Sequence, residues 1–271
     1  MRSGVSRALA ALIMGLPSFA EARTLCTIVV DAADGKSLFE QGDCRTRVTP
    51  ASTFKIALSL MGFDSGFLKD EHHPELPYEV GYVDWGGVNW MRPTDPTRWM
   101  KYSVVWYSQI VARALGAQRL ADYAAKFGYG NADFSGDPSR NSGFDRAWID
   151  SSLRISPLEQ TIFLRRLVTG ELPVSQAALE RTSGIVEVVA TKDGWRLHGK
   201  TGSANPRAPD GSVDEAHGYG WYVGWAILDH RALIFARLNQ DDRIEAISGG
   251  LRAREELIEE WSALMMRSSI R

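Results

Sequence analysis

Apolar and β-branched runs sit near both ends of this chain, with helical spacing between them. Residues 24–30 form the first such run. A second, 37–41, resumes after the turn-rich Asp31-Ala32-Ala33-Asp34-Gly35, and the two read as a hairpin. Pro50 precedes an apolar helical stretch over about 52–61. Helices are predicted over 103–115, 117–127 and 157–168. The last opens at Ser156 with Glu159 three residues on and Pro157 at the first helical position, a capping-box pattern. Segments 195–200, 220–228 and 231–238 read as strands, the last two joined by Asp229-His230. Leu257, Ile258, Trp261, Leu264 and Met265 then share one face of a helix over 254–266. Strands at both ends with helices between predict an α/β (α+β) fold: an antiparallel sheet built from both chain ends and flanked by helices, with a mostly helical insertion over about 62–180. Segments 84–87 and 91–96 read as irregular. No repeat, low-complexity tract or linker divides 23–271, so one domain is expected there.

Residues 1–22 stand apart from this pattern. Arg2 and Arg7 precede the apolar segment 8–16, and Ala20-Glu21-Ala22 reads as an A-x-A cleavage site. A cleaved signal peptide and a periplasmic or secreted protein are expected. A membrane span needs about 20 apolar residues, which nothing supplies, so no membrane anchor is expected. Export changes how Cys26 and Cys44 read. They flank the hairpin turn, and in an oxidising compartment a structural disulfide is expected, with two free buried thiols as the alternative.

The 271 residues carry 31 basic and 33 acidic side chains, a net charge of −2, with the basic residues scattered. That excludes nucleic acid as the main partner. At 44% hydrophobic and 24% charged, the chain is not a disordered one. Only seven of the 31 cations are lysines. Genome base composition accounts for such a bias, but a lysine also persists where an amine must lose its proton, which guanidinium cannot do.

Among the seven, only Lys55 has a serine three residues before it. On a helix, Ser52 and Lys55 share a face, so hydroxyl and amine can meet. A neutral lysine can take the serine proton and make it a nucleophile. Neutrality at pH 7 needs roughly 4.6 kcal/mol of preference for the uncharged form, which burial among Phe54, Ile56, Ala57 and Leu58 can supply. By itself the pair occurs about once by chance in a chain of this length. It is accompanied, however, by Ser103-Val104-Val105 at a helix start and Tyr129-Gly130-Asn131 at a turn. Lys200-Thr201-Gly202, followed by Ser203, then ends a predicted strand. A cation, a hydroxyl and a glycine there make a rail for an anionic carbonyl compound, with Gly202 leaving room for close approach.

Taken in order, Pro50-Ala51-Ser52-Thr53-Phe54-Lys55, Ser103-Val104-Val105, Tyr129-Gly130-Asn131 and Lys200-Thr201-Gly202 resemble the motifs of the class D (oxacillinase-type) serine β-lactamases, within the penicillin-recognising serine enzymes. Residues 148–153 resemble the segment carrying that family's active-site tryptophan, and 220–225 its strand beyond K-T-G. The class A triplet S-D-N is replaced by Ser103-Val104-Val105, and no E-x-E-L-N-type stretch supplies that class's deacylating glutamate.

The resemblance implies a small-molecule β-lactam substrate and no dissociable cofactor or metal. It implies CO2 held as a carbamate on Lys55, with Trp148 donating its indole N–H and Val105 closing the apolar pocket. Ser52 would attack the lactam carbonyl while the Lys55 carbamate, general base for both steps, takes its proton, and the N–H groups of Ser52 and Ser203 would form the oxyanion hole. Ser103 and Lys200 would pass the proton to the lactam nitrogen, and Thr201 and Arg252 would hold the substrate carboxylate. Arg254 competes with Arg252 for that role. A monomer or homodimer is expected.

Other features read as structural. Glu71-His72-His73-Pro74 has no third ligand at metal spacing. His198 and the aromatic loop 84–90 could each line the cleft, but packing is the expected role of both. No G-x-S-x-G elbow occurs, which argues against an α/β-hydrolase. Rival readings are a cell-wall transpeptidase, a β-lactam sensor and a homologue without the lysine modification. All three differ from a β-lactamase at deacylation.

Overall fold

A computed structural model describes residues 23–137, 142–149, 151–208 and 210–268. The signal-peptide expectation for 1–22 therefore lies outside the described residues. The chain opens with the hairpin β1 (Arg23–Asp31) and β2 (Ser37–Gly42). Cys26 pairs with Gly42 in register, and Cys44 lies two residues further on. The hairpin thereby brings the cysteines together, and they form the expected disulfide. Next come α1 (Phe54–Asp64), α2 (Pro96–Tyr102), α3 (Val105–Leu115), α4 (Ala117–Phe127), α5 (Pro157–Val168) and α6 (Gln176–Ile185). The chain returns to the sheet as β3 (Glu187–Ala190), β4 (Arg196–Ala204), β5 (Tyr219–Leu228) and β6 (Arg231–Gln240), and ends in α7 (Gly249–Ser268).

The six strands run in the order β2-β1-β6-β5-β4-β3, each antiparallel to its neighbours. The first strand lies beside the last, as the two-ended sequence pattern predicts. Because successive strand residues point to opposite faces, β5 and β6 feed two cores. Tyr222, Ala226, Leu233 and Phe235 meet Leu257, Trp261 and Leu264 of α7 on one face. Trp221, Val223, Ile234 and Ala236 join the helical side on the other. Each fully buried side chain of this kind contributes about 1.5–3 kcal/mol. Arg237 of β6 is buried and ion-paired with Glu256 and Glu260 of α7, fastening helix to sheet with charge as well as packing.

Every residue from Phe54 to Phe63 is buried, so α1 is the axis of the helical side rather than an amphipathic surface helix. The Ser156–Glu159 capping box forms as predicted, with both reciprocal hydrogen bonds present.

The structure departs from the pattern reading in several places. The irregular stretch ends in α2, capped by Asp95 accepting from Arg98 N–H. α6 and β3 were not foreseen; both are short, and β3 is an edge strand with little burial. β4 continues to Ala204, so Lys200-Thr201-Gly202 lies inside the strand rather than at its end. Among the described residues, no helix is long and apolar enough to cross a membrane.

Candidate active site

Ser52 lies in a tight 3-10 turn, Ala51–Thr53, that runs directly into α1. It therefore precedes the helix instead of opening it, but the continuous winding preserves the i, i+3 relation to Lys55. Ala51 adopts φ 50°, a left-handed conformation that costs an alanine roughly 1–2 kcal/mol. Surrounding bonds enforce it. Thr53 Oγ1 donates to Pro50 O at 2.7 Å and accepts from Gln160 Nε2 at 2.9 Å. Gln160 also reaches the buried Tyr129 hydroxyl at 3.4 Å.

Lys55 Nζ donates to Ser52 Oγ at 3.0 Å. No part of Lys55 is exposed to solvent. Burial pushes its amine well below the ordinary lysine range, and the charge of Lys200 pushes in the same direction. Burial also brings Lys200 down to about 8, with Glu187 opposing the shift and Arg254 adding to it. Lys200 Nζ donates to Ser103 Oγ at 3.1 Å and to Thr201 O at 3.1 Å. Ser103 does not open α3, as its sequence position suggests. It is the left-handed residue, φ 58°, between α2 and α3. That kink presents its hydroxyl to β4.

A cleft of about 420 Å³ is lined by Ser52, Ser103 and Lys200, with Lys55 buried behind Ser52. Gly199, Lys200, Thr201, Gly202 and Ser203 form one wall, and Lys101, Tyr102 and Ser103 face them. Gly202 permits close approach, though of the protein's own backbone. A Cβ there would lie 3.0 Å from Pro50 O, and a Cβ on Gly250 would lie 2.6 Å from Gly202 O. The strand is thus held between the nucleophile turn and the start of α7, and Gly250 N–H also donates to Ser203 Oγ at 2.9 Å. Trp85 and Trp90 pack against each other, tilted by 53° with centroids 4.4 Å apart, and both line the cleft, so the aromatic loop packs on itself and also rims the site.

Of the two competing arginines, Arg252 does not line the cleft. Its guanidinium is ion-paired with Asp241 at 2.5 Å, and its Nε donates to Ile247 O at 3.0 Å. Arg254, two residues on, lines the cleft instead. A two-residue step on a helix turns a side chain by about 200°, so only one of the two can face β4.

Trp148 is fully buried, 5.2 Å from the Phe54 ring, and its Nε1 has no hydrogen-bond partner. Thr49 Oγ1 holds the Trp148 carbonyl at 2.9 Å. Val105 is buried at the first position of α3. Asn131 does not line the cleft. Its side chain donates to Ser152 O and accepts from Arg154 N–H, bracing the segment that carries Trp148. Sequence reasoning missed Glu187 and Lys101, which line the cleft outside any recognised motif. His198 stacks on Trp225 at 5.2 Å, while His72 and His73 pair separately with Asp95 and Asp70.

The penicillin binding protein transpeptidase domain family matches residues 25–261. Beta-lactamase OXA-9 of Klebsiella pneumoniae is 41% identical over 246 residues, covering 90% of each chain. Beta-lactamase OXA-1 of Escherichia coli is 35% identical over 204 residues, 74% of this chain and 70% of that one. The crystal structure of the OXA-427 class D β-lactamase superposes with a TM-score of 0.83 at 44% identity, covering 90% of this chain and 99% of that one. Similarity sustained over nine tenths of the length takes in the whole sheet and both sides of the cleft, and the chain accordingly belongs to the class D β-lactamases, inside the penicillin binding protein transpeptidase domain family.

Proposed function

We propose that the chain is an exported hydrolase that opens the β-lactam amide through an acyl-enzyme on Ser52 and so confers resistance to β-lactam antibiotics. The observation that carries the reading is the 3.0 Å contact between Ser52 Oγ and a fully buried Lys55 amine. A neutral amine at hydrogen-bond distance is positioned to take the hydroxyl proton.

As Ser52 Oγ bonds to the lactam carbonyl carbon, negative charge develops on the carbonyl oxygen, where the N–H groups of Ser52 and Ser203 would receive it. The C–N bond then breaks, and the lactam nitrogen needs a proton. The Lys200–Ser103 contact of 3.1 Å supplies a path for it. Thr201 and Arg254 hold the substrate carboxylate, with Arg254 taking the role first assigned to Arg252. Water then cleaves the ester, regenerating Ser52 and releasing the ring-opened acid.

The site fits a carbamate on Lys55. The amine is kept from protonation by burial, as attack on CO2 requires, and Trp148 Nε1 is a buried donor without a partner. When present, that group supplies a carboxylate-type base of the kind the second step needs. Trp148 would hold it, and Val105 would keep the surroundings apolar. The Cys26–Cys44 disulfide supports export to an oxidising compartment.

Turnover of a chromogenic cephalosporin, with and without added bicarbonate, tests the reading. Sustained hydrolysis that rises with bicarbonate and vanishes in Ser52→Ala is expected. A burst of one equivalent without turnover would point to a transpeptidase or sensor.

A further inference from the structure

The described residues lining the cleft include three cations, Lys101, Lys200 and Arg254, and a single carboxylate, Glu187. Glu187 opens the edge strand β3 and pairs in register with Gly199, the residue before Lys200. Its carboxylate oxygens lie 3.4 and 3.5 Å from Arg254 Nη1, while Arg254 Nη2 lies 3.2 Å from Glu255. Arg254 Nε has no partner. The guanidinium that faces the anion end of the cleft is therefore already engaged by a carboxylate of the protein. Packing does not require an acid at 187, which is about half exposed and stands on a strand with little burial.

We infer that Glu187 is a specificity-determining residue, a resident carboxylate that competes with the substrate's carboxylate for Arg254. The inference rests on the assignment of Arg254 to the substrate carboxylate. An anionic β-lactam must displace Glu187 from Nη1, or share the guanidinium with it at the cost of like-charge repulsion. Either way Glu187 weakens ground-state binding without touching the bond that breaks. The consequence falls on KM and leaves kcat nearly unchanged. Because the pair is partly exposed, the effect is modest.

The test is Glu187→Gln, which keeps the shape and removes the charge. For benzylpenicillin, KM is expected to fall about threefold, with kcat within about twofold of the parent. KM of the variant should also climb more steeply with sodium chloride, since Arg254 becomes open to chloride. Glu187→Asp restores the charge and should return KM toward the parent value. Benzylpenicillin binding is measured in parallel by calorimetry in a Ser52→Ala background, where no acyl-enzyme can form, and adding Glu187→Gln should tighten it by a similar factor. If the parent shows no turnover but binding still tightens, the hydrolase reading falls and the role of Glu187 stands. If the parent turns over while KM and binding are unchanged or weakened by Glu187→Gln, Glu187 merely supports Arg254 and the inference is overturned.

Discussion

Lys55 Nζ reaches Ser52 Oγ at 3.0 Å from a position with no exposure to solvent, so the one polar group within α1's first turn is spent on the nucleophile. Lys55→Arg tests whether proton acceptance matters, because guanidinium stays charged. Acylation should slow by about 10²- to 10⁴-fold, followed by mass spectrometry of the serine adduct. Lys55→Met makes the complementary point. Replacing a buried amine with an apolar chain of similar length should abolish turnover yet stabilise the fold by about 1–3 kcal/mol. A melting temperature at or below that of the parent would contradict a desolvation cost at Lys55.

The two buried lysines set the pH profile in opposite senses. Lys55 must be neutral to take up CO2 or to accept a proton itself, so kcat/KM rises with pH as its lowered pKa is passed. Lys200 must be charged to supply one, so kcat/KM falls as pH rises through about 8. A bell-shaped profile is expected. In Lys200→Arg the charge cannot be lost, and the alkaline limb should move up or disappear. An alkaline limb left near pH 8 would show that some other group controls it.

Trp148 Nε1 is a buried donor without a partner, which is costly unless something completes it. Trp148→Phe keeps the aromatic packing on Phe54 and removes the N–H. With 13C-labelled bicarbonate, the parent should show a carbamate resonance by NMR that is weakened or lost in the variant. Restoring activity should need about tenfold more bicarbonate, the loss of one charge-assisted hydrogen bond. Equal resonances in both proteins would rule out indole as the holding group.

The disulfide closes a segment with a sequence separation of 18. Chain-entropy arguments give such a closure about 3 kcal/mol. Cys44→Ser, or reduction under denaturing conditions, should lower stability by about that amount in chemical denaturation. Activity of the folded fraction should be unchanged, since neither cysteine lines the cleft. A loss of kcat without a loss of stability would mean that the hairpin reports to the site.

What the sequence revealed followed how local each feature is. The hairpin, the Ser156–Glu159 cap and β5–β6 rest on neighbours in the chain, and all three were legible. So was the Ser52–Lys55 pair, which one helical turn joins. α6 and β3 were not, because β3 is four residues at the sheet edge and α6 takes its form from packing on α1. Glu187 escaped notice for the same reason. Its significance comes from Arg254, 67 residues away. The left-handed residues Ala51 and Ser103 were also invisible, since strain is stored by tertiary contacts and leaves no mark on composition.

The choice between Arg252 and Arg254 shows where motif register runs out and geometry decides. Both lie in the first two turns of α7, but Asp241 claims Arg252 and the cleft receives Arg254. Arg254→Ala should raise KM for benzylpenicillin by about tenfold to a hundredfold, the worth of a charged contact to the substrate carboxylate, with a smaller change in kcat. Arg252→Ala should leave KM alone and destabilise the fold, because it strands the largely buried Asp241 carboxylate. Thermal denaturation and steady-state kinetics on both variants separate the roles. If Arg252→Ala raised KM and Arg254→Ala did not, the anion end of the cleft would have to be redrawn around the start of α7.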